Sequence, residues 1–405
     1  MLKAGLLLLS PFNKKAKNLR TGQEKALYEL EQKLSKKPGK YIWFHCASLG
    51  EFEQGRPVIE QFRQANDDFK ILITFFSPSG YEVRKDYGGA DIVSYLPLDT
   101  KTNAQKFIRL VKPEMAIFVK YEFWLHYLKE LNKYGIPVIS ISSVFRQDQF
   151  FFKKYGAFYR KFLNYFEHFF VQDETSRELL LGNGFNNVTV SGDTRFDRVY
   201  EIGNSPMDIP LAKSFSTGQK VMVIGSSWPE DIELLMPLFK QDEVDLKYII
   251  APHEIDTYHL HALKKTIDQP VIMFSKAKNK DLSRYKFLII DNIGLLSSLY
   301  RYGDMAYVGG AFGQGLHNIL EPAAFGIPVF FGKSKKNEKY LEASELVKAG
   351  GAFDIETSVQ LIKNIRHLLI NSDILKRTGQ ASKQYITDKT GATEAIIAYL
   401  RTKMK

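Results

Sequence analysis

Two stretches carry residue types at spacings that can do chemistry. The first is Trp43-Phe44-His45-Cys46-Ala47-Ser48-Leu49-Gly50-Glu51-Phe52-Glu53. An apolar run ends there in small residues, and a helix is expected to open near Glu51. A carboxylate at that place can be a general base facing a cleft. It can equally be a routine partner for the positive end of the helix. The second is Val308-Gly309-Gly310-Ala311-Phe312-Gly313-Gln314-Gly315-Leu316-His317-Asn318-Ile319-Leu320-Glu321-Pro322-Ala323. Glycines at 309, 310, 313 and 315 between a strand and a helix can turn backbone N–H groups toward an anion. Glu321, one turn into the helix, can accept hydrogen bonds from vicinal hydroxyls. Phosphate and ribose of a nucleotide sugar are the ligands such a pattern suits, though a glycine-rich turn with a capping acid would look the same.

Three smaller motifs stand beside these. Gly225-Ser226-Ser227-Trp228 can contact the same phosphate or merely cap a helix. Tyr121-Glu122-Phe123-Trp124 follows an apolar run, and Gly192-Asp193-Thr194-Arg195-Phe196-Asp197 lies near an expected domain boundary. Other motifs fail. There is no P-loop, and Gly313-Gln314-Gly315 lacks the third glycine of a dinucleotide fingerprint because position 318 is Asn318. His253-Glu254 opens like a zinc-protease motif, but Thr257 stands where the second histidine belongs. Neither a metal nor a cofactor is expected.

Elements able to position these residues are legible along the chain. From residue 41, β-rich runs alternate with amphipathic helical stretches: 41–47, 70–75, 92–95, 115–119, 137–141, 168–171 and 188–190. A stretch rich in Ser, Gly and Pro at 203–218 reads as a linker. A second series follows at 220–225, 247–251, 271–274, 287–291, 305–308 and 328–331, and 357–401 reads as helical. This α/β alternation predicts two Rossmann-like domains, 41–203 and 218–405, with a ligand cleft between the carboxyl ends of their parallel sheets.

Composition narrows the class. The 405 residues are 44% hydrophobic and 25% charged, ordinary for a globular protein. A single cysteine, Cys46, precludes an internal disulfide. Net charge is +11, and residues 1–40 alone hold ten basic and three acidic side chains. That segment begins with an apolar run, Met1–Leu9, far shorter than the ~20 residues of a spanning helix. An apolar plug beside a basic cluster suits an anionic membrane surface, where each Lys or Arg contributes about 1 kcal/mol. Residues 145–170 mix twelve Phe or Tyr with Arg146, Lys153, Lys154, Arg160 and Lys161. Most of these aromatics are expected on an amphipathic core helix, with a share facing an acylated partner. No nucleic-acid module is recognisable, and a nucleic-acid partner is not expected.

Taken in order, these motifs resemble the Kdo transferases, the 3-deoxy-D-manno-octulosonic acid transferases of lipopolysaccharide assembly. His45–Glu51 is similar to that family's H-A-V-S-V-G-E, and residues 309–328 to its G-G-S-x-x-x-x-G-G-H-N-P-L-E-P-A-A-x-G-x-P. Tyr95-Leu96-Pro97-Leu98-Asp99 and the segment 292–300 match as well. The resemblance implies an inverting GT-B glycosyltransferase that moves Kdo from CMP-Kdo to a lipid A precursor at the cytoplasmic face of the inner membrane. It implies Glu51 as the base, Glu122 and Arg195 as acceptor-side or supporting residues, and a donor site of Ser226, Ser227, Gly309, Gly310, Gly313, Gly315, His317, Asn318 and Glu321. The chain departs from the family pattern at Lys120, Trp228, Ile319 and Pro252-His253-Glu254, the last replacing P-R-H and so displacing a donor-side arginine. The alternative reading is another GT-B envelope enzyme, a transferase or epimerase, using a UDP-sugar.

Overall fold

The structure, a computed structural model, describes residues 14–241, 244–335 and 340–404. The plug Met1–Leu9 lies outside them. Among the described residues there are two sheets of seven parallel strands each. The first contains β1 (Lys40–Cys46), β2 (Phe69–Phe75), β3 (Ile92–Tyr95), β4 (Met115–Val119), β5 (Val138–Ser143), β6 (His168–Val171) and β7 (Val188–Val190), in the order β3-β2-β1-β4-β5-β6-β7. The second contains β8 (Lys220–Ser227), β9 (Leu246–Pro252), β10 (Val271–Met273), β11 (Phe287–Ile289), β12 (Met305–Val308), β13 (Val329–Gly332) and β14 (Ala352–Ile355), in the order β10-β11-β9-β8-β12-β13-β14.

Parallel strands covered on both faces read as unbroken apolar runs. β1 has six of its seven residues buried, and β4 all five. Trp43 is fully buried in β1, and its indole N–H donates to Thr74 Oγ1 at 2.7 Å. The chain crosses to the other half of each sheet between β1 and β4 and between β8 and β12, where the strand order reverses. An open α/β sheet forms its ligand crevice outside the carboxyl ends of the strands at such a reversal. Ala47–Glu51 and Lys120–Trp124 follow β1 and β4. Ser226–Trp228 and Gly309–Gly315 occupy the ends of β8 and β12.

The chain divides into two compact units, residues 1–198 with 390–405, and residues 199–389. This differs from the boundaries expected from sequence in three ways. The basic segment is helical over Lys14–Lys36, with Ala26 and Leu30 buried in the first unit. The expected linker holds the helix Pro210–Phe215, whose Ala212 and Phe215 pack into a core of the second unit. The last helix, Ala392–Lys403, returns to the first unit, packs on the helix Leu49–Ala65 and buries Ile396, Ile397 and Leu400 in the core they share. Its N-terminus is held by Asp197, whose carboxylate accepts from the N–H groups of Gly391 at 2.6 Å and Thr393 at 2.7 Å.

The aromatic stretch is not the expected amphipathic helix. It winds through short turns at Phe150–Phe152, Lys154–Gly156, Ala157–Arg160 and Lys161–Tyr165. A Cβ on Gly156 would lie 1.6 Å from the Phe150 carbonyl oxygen, a crossing that a regular helix would not make. Phe151, Phe162 and Phe166 turn inward, while Phe150, Tyr155, Phe158 and Tyr159 remain exposed.

Candidate functional site

In the first unit, Glu51 is the third residue of the helix Leu49–Ala65. One of its carboxylate oxygens accepts from Ser48 N at 2.7 Å and Ser48 Oγ at 3.0 Å. The carboxylate therefore does cap its helix. It is also half-buried, and burial followed by the charge of Glu122 pushes its pKa above the usual carboxylate range. The Ser48 bonds and His45 pull the other way and are outweighed. A carboxylate raised in this manner is a better proton acceptor near neutrality than an exposed one.

Glu122 enters from the end of β4. It accepts from the Trp124 indole N–H and lies 3.3 Å from His45 Nε2. His45 is fully buried, and its Nδ1 sits 2.9 Å from Thr74 Oγ1 and 3.1 Å from the Thr74 carbonyl. Between β4 and this motif, Lys120 adopts a left-handed φ of 69°. Such conformations cost free energy in non-glycine residues and gather at functional sites. Ser226, at the end of β8, has φ 52°. The thiol of Cys46 is fully buried with its pKa pushed up, the environment of a packing residue and not a nucleophile.

The Arg195 guanidinium is held by Asp193 at 2.7–2.8 Å. Asp193 also meets the amide of Gln54 at 3.3 Å, and Thr194 Oγ1 donates to the Gln54 carbonyl. Arg195 is thus braced on the helix that carries Glu51.

Because the Glu122 charge raises the Glu51 pKa, Glu122→Gln should lower it. If carboxylate Glu51 is the working base, the acid limb of the kcat/KM–pH profile moves to lower pH in that variant. A limb that stays in place or moves upward would show that Glu122 does not tune the base.

In the second unit, the glycine loop is used differently from the sequence expectation. Its amides were expected to face an anion. Instead Gly309 N donates to the Gly225 carbonyl at 2.9 Å, Gly313 N and Gly315 N to the Gly310 carbonyl at 3.3 and 2.9 Å, and His317 N to the Gly309 carbonyl at 3.2 Å. Gly310 N is taken by the carboxylate of Asp231 at 2.9 Å. These glycines build the turn and do not offer their own N–H groups. Gly310, with φ 94°, could not carry a side chain, since a Cβ would lie 2.4 Å from the Gly315 carbonyl oxygen. Among the described residues, the N–H groups of Ala311, Phe312 and Gln314 have no acceptor within the chain.

The helix after the loop, Leu320–Ala324, is little more than one turn, so its dipole adds little. Glu321 sits in that turn, half-buried, and accepts from the Asn318 side-chain amide at 3.2 Å. Ser227 is buried, and its hydroxyl has no hydrogen-bond partner among the described residues. A buried hydroxyl left unpaired is costly, which suits a group awaiting a ligand.

The departures Trp228 and His253 meet His317 here. The Trp228 ring stacks on His253 with centroids 4.4 Å apart, and its N–H donates to His317 Nε2 at 3.1 Å. Accepting that bond fixes the proton of neutral His317 on Nδ1. Burial, then His253, lower the His317 pKa to about 4, so the ring is neutral at ordinary pH. The position where the family pattern has its donor-side arginine is occupied by His253, stacked on the Trp228 ring. Asp231 and this ring cluster escaped the sequence reading. Pro229 followed by Asp231 is a helix-start signal and could have found the first.

Comparison with known proteins agrees with this architecture. The family described as 3-deoxy-D-manno-octulosonic-acid transferase (kdotransferase) matches residues 20–198. The 3-deoxy-D-manno-octulosonic acid transferase of Chlamydophila psittaci is 27% identical over 342 residues, covering 82% of this chain and 78% of that protein. The Aquifex aeolicus enzyme of the same name is 26% identical over 337 residues, covering 81% and 86%. A crystal structure of MurG from Acinetobacter baumannii superposes with a TM-score of 0.58 at 13% identity, covering 90% of this chain and 99% of that one, and this likeness shows the GT-B fold. With two parallel α/β units and motifs at the strand-order reversals, residues 20–198 match the Kdo transferase domain, and the chain is similar over most of its length to Kdo transferases, which are glycosyltransferases.

Proposed function

We propose that the protein transfers Kdo from CMP-Kdo to a lipid A precursor, with inversion at the anomeric carbon. The observation that carries the reading is Glu51, a half-buried carboxylate of raised pKa at the strand-order reversal of the first sheet. In this mechanism an acceptor sugar hydroxyl attacks the anomeric carbon of Kdo and gives its proton to Glu51. The bond from that carbon to the phosphate oxygen breaks, and CMP leaves with the electron pair. One displacement inverts the centre. Charge grows on the phosphate, so fixed dipoles there lower the barrier. The unpaired N–H groups of Ala311, Phe312 and Gln314 and the Ser227 hydroxyl are suited to that task, and the Glu321 carboxylate beside Asn318 is suited to accept from the ribose hydroxyls.

The acceptor reading is supported by exposed Phe150, Tyr155, Phe158 and Tyr159 beside exposed Lys154 and Lys161. Aromatic rings among cations suit an anionic lipid surface. No helix among the described residues is long and apolar enough to cross a membrane. The test is mass spectrometry of a lipid A precursor incubated with the protein and fresh CMP-Kdo. Mass increments of one or more Kdo units are expected. An unmodified precursor, with turnover of a UDP-sugar instead, would overturn the reading.

A further inference from the structure

Asp231 is a buried carboxylate with 1% of its surface exposed, and among the described residues it has no ion-pair partner. Burying an ionised carboxylate is unfavourable unless donors surround it. It has three. One oxygen accepts from Trp228 N and from Gly310 N, each at 2.9 Å, and the other from the Tyr307 hydroxyl at 2.9 Å. Capping the helix Pro229–Phe239 requires only the Trp228 bond. The other two donors come from β12 and the glycine loop, 76 and 79 residues further along the chain. The carboxylate also fills the space beside Gly309, where a Cβ would lie 2.5 Å from its oxygen. On the same two segments, the bond from the Trp228 indole N–H to His317 Nε2 supplies a second tie.

We propose that Asp231 is a positioning residue that clasps the turn after β8 to the glycine loop after β12. The clasp holds both segments in the geometry that receives the nucleotide phosphate. Tyr307 orients the carboxylate so that its other oxygen meets both backbone N–H groups. The clasp itself follows from these bonds, while its value for catalysis rests on the donor site proposed above.

The experiment is amide hydrogen exchange of the full chain without nucleotide, paired with CMP binding. In Asp231→Ala the amides of Trp228 and Gly310 should exchange about tenfold faster or more, while those of Met222–Ile224 within β8 keep their protection. CMP affinity should fall by about tenfold or more. Asp231→Asn can turn its carbonyl oxygen to the two N–H groups and its NH₂ to the Tyr307 oxygen, so it should restore both readouts to within about threefold. A folded Asp231→Ala with wild-type exchange at both amides overturns the proposal, as does an Asn variant no better than Ala. If Ala does not fold, Tyr307→Phe serves: faster exchange at the two amides supports the clasp and unchanged exchange overturns it. If the wild type itself does not bind CMP but the two amides loosen as expected, the clasp stands and the donor reading falls.

Discussion

Glu51→Gln lowers turnover by about 10²–10⁴-fold, the contribution of a positioned general base, and leaves CMP affinity near the wild-type value. This substitution separates the helix cap that the side chain forms from the base role proposed for it. Glutamine is as good as glutamate in a capping box, because its carbonyl oxygen can accept from the Ser48 N–H. Helix Leu49–Ala65 therefore keeps its start, and the melting temperature should change little. What glutamine cannot do is take up a proton. The reading fails if the purified variant turns over at nearly the wild-type rate. It fails equally if the rate loss is matched by a comparable loss of thermal stability, since the side chain would then be only a cap.

The second large effect concerns stability. Deleting residues 390–405 should unfold the first unit and leave the second folded. Ile396, Ile397 and Leu400 are each at most 3% exposed. Burying a side chain of that size contributes about 1.5–3 kcal/mol. Losing three of them removes about 5–9 kcal/mol, comparable to the whole net stability of a typical domain, about 5–15 kcal/mol. Asp197 would also lose the helix N-terminus it caps. Limited proteolysis read by mass spectrometry gives the check. Cuts should concentrate in residues 14–198 of the truncated protein, and an unaltered digestion pattern there would refute the assignment.

The strands were legible because parallel strands covered on both faces leave unbroken apolar runs. β3, β4, β6, β7 and β12 fall where the runs predict, and β1 and β2 within one residue. β14 was missed because Ala352–Ile355 carries only four residues, two of them half-buried, just after a glycine pair. The destination of the last helix was also hidden. An amphipathic pattern says that one face of Ala392–Lys403 is buried, but not in which core. The site was legible as motifs and not as bonds. Spacing placed Glu51 and the glycine loop at strand ends. It could not reveal that the loop spends its own N–H groups on its own carbonyls and on Asp231, since that depends on contacts some 80 residues apart. Residues 145–170 misled for a related reason. Aromatic and basic residues at helical spacing do form turns, but the close crossing at Gly156 bends them out of one axis.

The return of the last helix has a further consequence for the order in which the protein is made. A ribosome releases residues 14–198 first, yet the core beside the helix Leu49–Ala65 that Ile396, Ile397 and Leu400 complete stays open until the whole of residues 199–389 has been synthesised. The second unit has all of its chain before the first has its last helix. During synthesis the half of the molecule begun earliest is therefore completed latest. For that interval it carries an uncovered apolar face beside the segment that bears Glu51.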